Sequence, residues 1–352
     1  MHNRKDPWLA INLSFFFPGL GQFYARNWGK GWSLLLGEVG LLAIALWCIF
    51  APTGQPLWGL VAVLLAGGVY LGNLFDAYHC CEETFPHPQG EKIPRTQKNI
   101  WFAVLLSRIL PGFGQLYSGR VGWGLGFISI TVILVLLNEL LTGLLWVSPV
   151  VSAIAVYHVY QTFPTPNRTG KIKRSLFILL VATLVSWGLF LNYFPLWLSN
   201  SIELFIIPSS SMQPTLQIGD RILVKKSDNY QPQPGDLVVF VAPEAAQKND
   251  PFTDPDEEII YIKRIIGQPG QTLQVRRGVV YLNQSPLNED YLASPPHYEV
   301  RSQLIPEQMY WVLGDNRNES FDSHVWGFLP EQNIIGQAYK IVFPPQRVRS
   351  LL

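Results

Sequence analysis

The chain has 352 residues and a formal net charge of +1, and 14% of its residues are charged, against about 25% in a typical soluble protein. Residues 1–200 carry 13 Lys/Arg and 7 Asp/Glu, whereas residues 201–352 carry 13 and 18. The basic, apolar first half predicts a membrane region and the acidic second half a soluble domain. Nothing in this charge balance favours a nucleic-acid-binding protein, and we expect no nucleic-acid partner.

All three cysteines, Cys48, Cys80 and Cys81, lie in the first half. The second half therefore cannot depend on disulfides, even in an oxidising compartment. Cys80 and Cys81 stand beside His79, but adjacent thiols lack the usual spacing of zinc ligands. We expect no metal site and no cofactor.

Five stretches are apolar enough to cross a bilayer, which takes about 20 residues; they cover roughly 32–50, 57–78, 121–141, 144–161 and 175–195. The connections at 51–56 and 142–143 contain no Lys or Arg. Basic residues fall in the other segments: Arg26, Lys30, Lys92, Arg95, Lys98, Arg108, Arg120, Arg168, Lys171, Lys173 and Arg174. The positive-inside rule then predicts a cytoplasmic N-terminus and a C-terminal domain on the opposite, trans face.

A short motif occurs twice in the first half, as Pro18-Gly-Leu-Gly-Gln-Phe-Tyr24 and Pro111-Gly-Phe-Gly-Gln-Leu-Tyr117, each followed by a predicted two-span hairpin. Such repeats indicate duplicated membrane units. The motif resembles the signature of small two-span membrane domains of poorly defined function. Its glycines favour a tight turn, so a structural role is the main interpretation and a binding site the alternative.

The predicted organisation is a first membrane repeat at 1–80, a second at 81–165, a basic loop with the last span at 166–199, and a domain at 200–352. Glu38 and Glu139 lie in or near predicted spans. An intramembrane carboxylate is a candidate functional group, although both side chains could instead reach an interface or a partner helix.

Beyond residue 200 the apolar runs become short, β-branched and aromatic, and Gly, Pro and Asn separate them. This pattern predicts a mainly-β domain. The predicted strands cover 221–224, 236–241, 261–266, 272–275, 279–282, 309–313 and 338–343.

Two segments of this domain suggest hydrolytic chemistry. One is the turn Pro208-Ser-Ser-Ser211-Met-Gln-Pro214, and the other is Lys263 in an apolar run. A serine needs a neighbouring base to become a nucleophile, and a buried lysine can be that base if its pKa falls. Lys263 could also be an ordinary strand lysine, and a triad of Asp322, His324 and Ser211 is conceivable.

Together with Gly314-Asp-Asn-Arg-Asn-Glu-Ser-Phe-Asp-Ser323, these segments resemble the three diagnostic motifs of bacterial type I signal peptidases. The resemblance covers about residues 200–345 and implies a mainly-β catalytic domain there. With the spans predicted above, we expect a multidomain protein in which a helical membrane region of about five spans precedes this domain, although most members of the family have one or two spans. It selects Ser211 as nucleophile and Lys263 as general base. The Ser209 hydroxyl and the Ser211 amide would form the oxyanion hole.

The same resemblance implies supporting roles. Ser320 would hydrogen-bond the lysine amine, Asp315 would pair with Arg264, and Asp322 would brace the loop. His324 stands where the family often has arginine, which leaves that brace in question. Residues matching the family's shallow substrate pockets are Phe205, Ile207, Met212, Leu216 and Ile262, for each of which core packing is the alternative.

The implied function is a membrane-bound endopeptidase that removes signal peptides after small residues, at Ala-x-Ala sites, without metal or cofactor. Its partners would be preprotein signal peptides, the lipid bilayer and the protein-export machinery. The membrane would be the bacterial plasma membrane or an internal bacterial membrane. A narrow-specificity Ser/Lys processing peptidase and an inactive membrane scaffold are the alternatives.

Overall fold

The computed structural model describes residues 5–85, 98–138, 147–163, 171–227, 230–249 and 259–352. Its contacts divide the chain into two compact units. The first contains Met1–Leu46 and Gly59–Leu196, and the second contains Trp47–Trp58 and Trp197–Leu352.

The described residues of the first 201 positions are mainly helical. The helices are α1 Pro7–Ser14, α2 Leu20–Tyr24, α3 Trp28–Phe50, α4 Pro56–Thr84, α5 Ile100–Ile109, α6 Phe113–Tyr117, α7 Val121–Asn138, α8 Val147–Thr162 and α9 Lys171–Ser201. Within the described ranges, α3 and α4 are long and apolar enough to cross a membrane. The apolar part of α7, Val121–Leu137, is shorter. Two candidate spans are therefore supported where the sequence predicts five.

One of the two predicted intramembrane carboxylates, Glu38, lies among the described residues. Glu38 lies on α3 and is only 7% exposed. Its Oε2 atom has no hydrogen-bond partner among the described residues. Glu139 and the start of the predicted span at 144–161 lie outside the described residues.

The two copies of the repeated motif adopt matching local structures. Gly19 and Gly112 precede the short helices α2 and α6 with φ of 93° and 108°, a left-handed conformation that favours glycine. Each motif glutamine is buried and accepts a hydrogen bond from a serine eight residues earlier in the chain: Ser14 to Gln22 and Ser107 to Gln115. The motif thus forms a packed turn in both places.

The copies also contact each other within the first unit. Asn99 Nδ2 donates to Asp6 Oδ2 at 2.9 Å. The two residues play the same local part, since Asp6 caps α1 and Asn99 caps α5. Each backbone N–H also donates to a motif tyrosine hydroxyl at 3.1 Å, Asp6 to Tyr24 and Asn99 to Tyr117.

The second unit is mainly β. Its strands are β1 Ile202–Ile206, β2 Arg221–Lys225, β3 Leu237–Val241, β4 Ile260–Gly267, β5 Thr272–Arg276, β6 Val279–Leu282, β7 Ser285–Pro286, β8 Val300–Leu304, β9 Met309–Leu313, β10 Leu329–Pro330, β11 Ile334–Phe343 and β12 Arg349–Ser350. The larger sheet has the order β1-β2-β11-β3-β4-β9-β10, with β12 against β11, and the smaller has the order β7-β6-β5-β8. The described strands pair antiparallel throughout both sheets.

Each of the seven predicted strand runs coincides with an observed strand, and β1, β8 and the two-residue strands β7, β10 and β12 are additional. A short helix, α10 Glu244–Asn249, follows β3. The inward faces of β2, β3 and β11 form a buried cluster with residues of the turn after β1. That cluster is the support on which the candidate site is built.

Candidate active site

Ser211 lies in the turn that follows β1. Met212 and Leu216 from this turn are 1% and 0% exposed and insert into the core cluster, so their packing anchors the turn to the sheet. Asn316 makes two hydrogen bonds to the turn. Its backbone N–H donates to the Ser211 carbonyl at 3.1 Å, and its side-chain amide donates to the Ser210 carbonyl at 3.3 Å. Ser211 itself is 7% exposed.

Lys263 lies on β4, which pairs with β3 on one side and β9 on the other. Its Nζ atom contacts Ser211 Oγ at 2.7 Å, and the residue is 4% exposed. Burial lowers the pKa of Lys263 from 10.5 to about 8, while the negative charges of Asp322 and Asp315 act in the opposite direction. A large fraction of the amine is thereby neutral at mildly alkaline pH, which is the condition for accepting a proton.

Ser209 is exposed, and its Oγ lies 3.3 Å from Ser211 Oγ. Within the described part of the chain, the Ser211 amide donates no hydrogen bond to another group. The two predicted oxyanion donors, the Ser209 hydroxyl and the Ser211 amide, therefore lie close to Ser211 Oγ.

Ser320 differs from its predicted role. It is 8% exposed, and its Oγ makes no hydrogen bond with Lys263 or any other described residue. The hydroxyl packs against Gly314, where an added Cβ would lie 2.2 Å from it. The predicted hydrogen bond to the lysine is thus not formed in this structure, in which the amine contacts Ser211 Oγ.

Arg264 and Asp315 form a buried bidentate ion pair. Arg264 Nε donates to Oδ1 at 2.8 Å and Nη2 donates to Oδ2 at 2.6 Å. Thr215 Oγ1 donates to the same carboxylate at 2.5 Å. The guanidinium also lies 4.0 Å from the centre of the Tyr291 ring. This pair therefore connects the turn that contains Ser211, strand β4 and the loop after β9.

His324 takes part in bracing Asp322. Its Nδ1 lies 2.7 Å from Asp322 Oδ1, and Asp322 Oδ2 accepts a hydrogen bond from the Gly314 backbone at 2.9 Å. The imidazole stacks on Tyr298 with ring centres 3.9 Å apart and planes 8° apart. No described contact joins His324 to Ser211, so the geometry does not form an Asp322/His324/Ser211 triad.

The residues predicted to line substrate pockets share one cluster. Ile207, Met212, Leu216 and Ile262 are all less than a tenth exposed and belong to the core beneath Ser211. Phe205 is partly buried and packs against them. Leu216 has no exposed surface, so its observed contacts are those of core packing.

A strap formed by residues 289–298 supports the site and was not predicted. Glu289 accepts a bidentate ion pair from the buried Arg317. Asn318 contacts this strap through the His297 backbone and the Ser294 hydroxyl. The sequence offered no signal for these contacts, since Glu289 lies in an ordinary polar segment.

Comparison with known proteins places this chain in a family. The family model described as "Signal peptidase, peptidase S26" matches residues 175–343. The "Probable signal peptidase I-1" of Synechocystis sp. is 42% identical over 189 residues, which are 53% of this chain and 90% of that protein. The chain belongs to the signal peptidase I family.

Other relatives support the assignment to signal peptidase I. The "Signal peptidase I" of Leptolyngbya laminosa is 44% identical over 41% of this chain and 70% of its own length. "Thylakoidal processing peptidase 1, chloroplastic" of Arabidopsis thaliana is 38% identical over 42% of this chain and 43% of its own length. The chain is therefore a peptidase of the signal peptidase I type, with a mainly-β C-terminal domain and a helical N-terminal region.

Proposed function

We propose that this signal peptidase cleaves exported preproteins after small residues with a Ser211/Lys263 dyad. The observation that carries the proposal is the 2.7 Å contact between Lys263 Nζ and Ser211 Oγ in a buried site. The lowered pKa of Lys263, about 8, supports its role as base.

The reaction is an acyl transfer. Neutral Lys263 accepts the proton of Ser211 Oγ, which attacks the scissile carbonyl carbon. The Ser209 hydroxyl and the Ser211 amide donate hydrogen bonds to the developing oxyanion, and one such donor typically contributes about 10²–10³ in rate. The lysine then protonates the leaving amine, and water releases the acyl group from Ser211.

The substrate binds as an added strand, with small residues at −1 and −3 in shallow apolar pockets near Phe205 and Ile262. β1 supports this mode, since it ends the strand order of the larger sheet and leads directly into the Ser211 turn. Main-chain pairing supplies affinity, and the two small pockets supply the Ala-x-Ala preference.

The enzyme is anchored in a bacterial membrane, with a cytoplasmic N-terminus, about five spans, and the 200–352 domain on the trans face. The apolar helices α3 and α4 and the distribution of basic residues along the chain support this arrangement. Signal peptides and the bilayer are its partners, and the export machinery delivers its substrates.

The test is cleavage of a purified preprotein with an Ala-x-Ala site, beside the same preprotein with Phe at −1. Wild type should cut only the first, and Ser211→Ala and Lys263→Met should each lose at least about 10³-fold in rate while remaining folded. Ser210→Ala is the matched control in the same turn and should stay active.

Two results would change the proposal. If Lys263→Met still cuts and His324→Ala does not, the base is the imidazole. If wild type cuts one class of preprotein among several, the narrow-specificity alternative replaces general signal peptide removal.

A further inference from the structure

Lys340 is a fully buried lysine outside the catalytic site. It lies on β11 and has no exposed surface. An ammonium in such a position needs hydrogen-bond partners, because an unpaired buried charge is strongly unfavourable. Among the described residues, its Nζ atom donates to three backbone oxygens: Cys48 O at 3.1 Å, Ile49 O at 2.9 Å and Ala51 O at 2.8 Å.

The chemistry of this contact is complementary. A lysine ammonium has three donors and no acceptor. The carbonyls of Cys48 and Ile49 lie in the last turn of α3, where carbonyls lack partners within the helix and the helix dipole is negative. Three donors thus meet three acceptors at the end of a helix that favours a cation.

A β-bulge directs Lys340 to this contact. The pairing of β11 with β2 shifts between Ala338 and Lys340. Ala338 and Ile341 consequently share the core face, and Lys340 points to the other face of the sheet. Without the extra residue, alternation would place Lys340 on the same face as Ala338.

The loop between α3 and α4, residues 51–55, packs closely against the end of α3. Gly54 is buried, and its backbone N–H donates to the Ala51 carbonyl at 3.1 Å. A Cβ added at Gly54 would lie 2.5 Å from the carbonyl oxygens of Trp47 and Cys48. Residues 47–58 belong to the same compact unit as the β strands.

We propose that Lys340 is a docking residue, which fastens the peptidase sheet to the loop between the candidate spans α3 and α4. The inference rests on the proposed function in one respect, because the contact matters for cleavage only if the substrates arrive in a membrane. A peptidase domain attached to the α3–α4 loop as well as to α9 would be held in position for such substrates. It follows that the loop at 51–55 and the peptidase domain lie on the same side of the membrane.

The first test measures the contact without using catalysis. In a full-length Cys80→Ala/Cys81→Ala background, Cys48 is labelled with a water-soluble maleimide in wild type, Lys340→Met and Lys225→Met. Lys225 is an exposed lysine on the neighbouring strand and serves as the matched control. Lys340→Met should label about tenfold faster, since buried carbonyls left without donors favour opening, and Lys225→Met should label like wild type.

The second test uses two substrates in parallel. Lys340→Met should lose about tenfold in kcat/KM on a preprotein in liposomes but keep cleavage of a short soluble peptide in detergent within about twofold. Lys340→Arg retains a cation and should fall between wild type and Lys340→Met. If wild type cuts neither substrate, the proposed function fails, while the labelling result still decides the role of Lys340.

Gly54→Ala perturbs the acceptor side and covers the case in which Lys340→Met does not fold. It should reproduce both the faster labelling and the selective loss on the liposome substrate. Unchanged labelling in Lys340→Met and Gly54→Ala would overturn the proposal. Equal losses on peptide and preprotein would also overturn it, because they would show a purely structural lysine.

Discussion

A methyl group added to Gly314 would lie 2.5 Å from the carbonyl oxygen of Ser211. That oxygen is the one that accepts the Asn316 backbone hydrogen bond. The loop after β9 therefore approaches the turn that contains Ser211 so closely that a side chain at residue 314 would displace Ser211.

We expect Gly314→Ala to lower kcat/KM by about 10²-fold, since a displacement near 1 Å at a reacting group has an effect of that size. The measurement is preprotein cleavage beside thermal unfolding. Ser320→Gly in the Gly314→Ala background removes the collision with Ser320 and leaves the one with Ser211, so it should restore little activity. Wild-type rates in Gly314→Ala would show that the turn moves without consequence.

The pKa of Lys263 sets a pH dependence. A lysine with a pKa of about 8 is only about a tenth neutral at pH 7. In the proposed mechanism the neutral amine is the base, so kcat/KM should rise with pH, reach half its maximum near pH 8 and level off above about pH 9. The check is a rate profile from pH 6 to 10, and a flat profile across pH 7–9 would contradict the assignment.

Asp322 shifts that profile. Its negative charge raises the pKa of Lys263 against the larger effect of burial. Asp322→Asn should therefore move the midpoint of the rise to lower pH. Because Asp322→Asn also perturbs the hydrogen bond from the Gly314 backbone, thermal unfolding of the variant serves as the control for its stability. A midpoint that moves to higher pH would show that the charge of Asp322 does not act on the lysine.

The Arg264–Asp315 pair predicts a stability difference. Its side chains are 10% and 0% exposed, and removing one partner of a buried pair costs about 3–5 kcal/mol. Asp315→Ala should show that loss in denaturant unfolding, and the double variant Arg264→Met/Asp315→Leu should lose less than the sum of the single changes. The matched surface pair, Lys226 and Glu203, is 31% and 41% exposed, so Glu203→Ala should cost under about 1 kcal/mol.

Tyr298 should stabilise the site through its ring and not through its hydroxyl. The ring stacks on His324, while the hydroxyl is buried without a partner among the described residues. Tyr298→Phe should be neutral or stabilising by up to about 1 kcal/mol, and Tyr298→Leu should destabilise and slow cleavage. Thermal unfolding of the two variants distinguishes the contributions, and a destabilised Tyr298→Phe would show that the hydroxyl is needed.

The contact between the two motif copies can be tested by exchange. Asn99→Asp would place a carboxylate against Asp6, with a cost of about 1–3 kcal/mol to the first unit. The swapped pair Asp6→Asn/Asn99→Asp restores one donor and one acceptor and should recover stability. Unfolding in detergent, followed by tryptophan fluorescence, measures both, and equal stability of the single and swapped variants would mean that the contact contributes nothing.

Local sequence determined much of the architecture. The apolar runs predict the positions of β2, β3, β4 and β9 to within a few residues, because side-chain periodicity and turn residues are local properties of the sequence. β8 was missed since its sequence, Val-Arg-Ser-Gln-Leu, is largely polar and exposed, and β1 follows α9 without a turn signal. The motif strings around Ser211 and Lys263 pointed to the chemistry from the chain alone.

Only the tertiary structure decided how those residues meet. Ser211 and Lys263 are 52 positions apart, and their 2.7 Å contact depends on a sheet that brings β4 beneath the turn after β1. Ser320 packs against Gly314 and Lys340 turns away from the core at a bulge, and neither orientation is encoded in neighbouring residues. Sequence by itself determined which side chains are available and which strands carry them, because periodicity and turn chemistry act over a few residues. Burial, pairing and the pKa of Lys263 were decided by long-range packing, which depends on segments far apart in the chain.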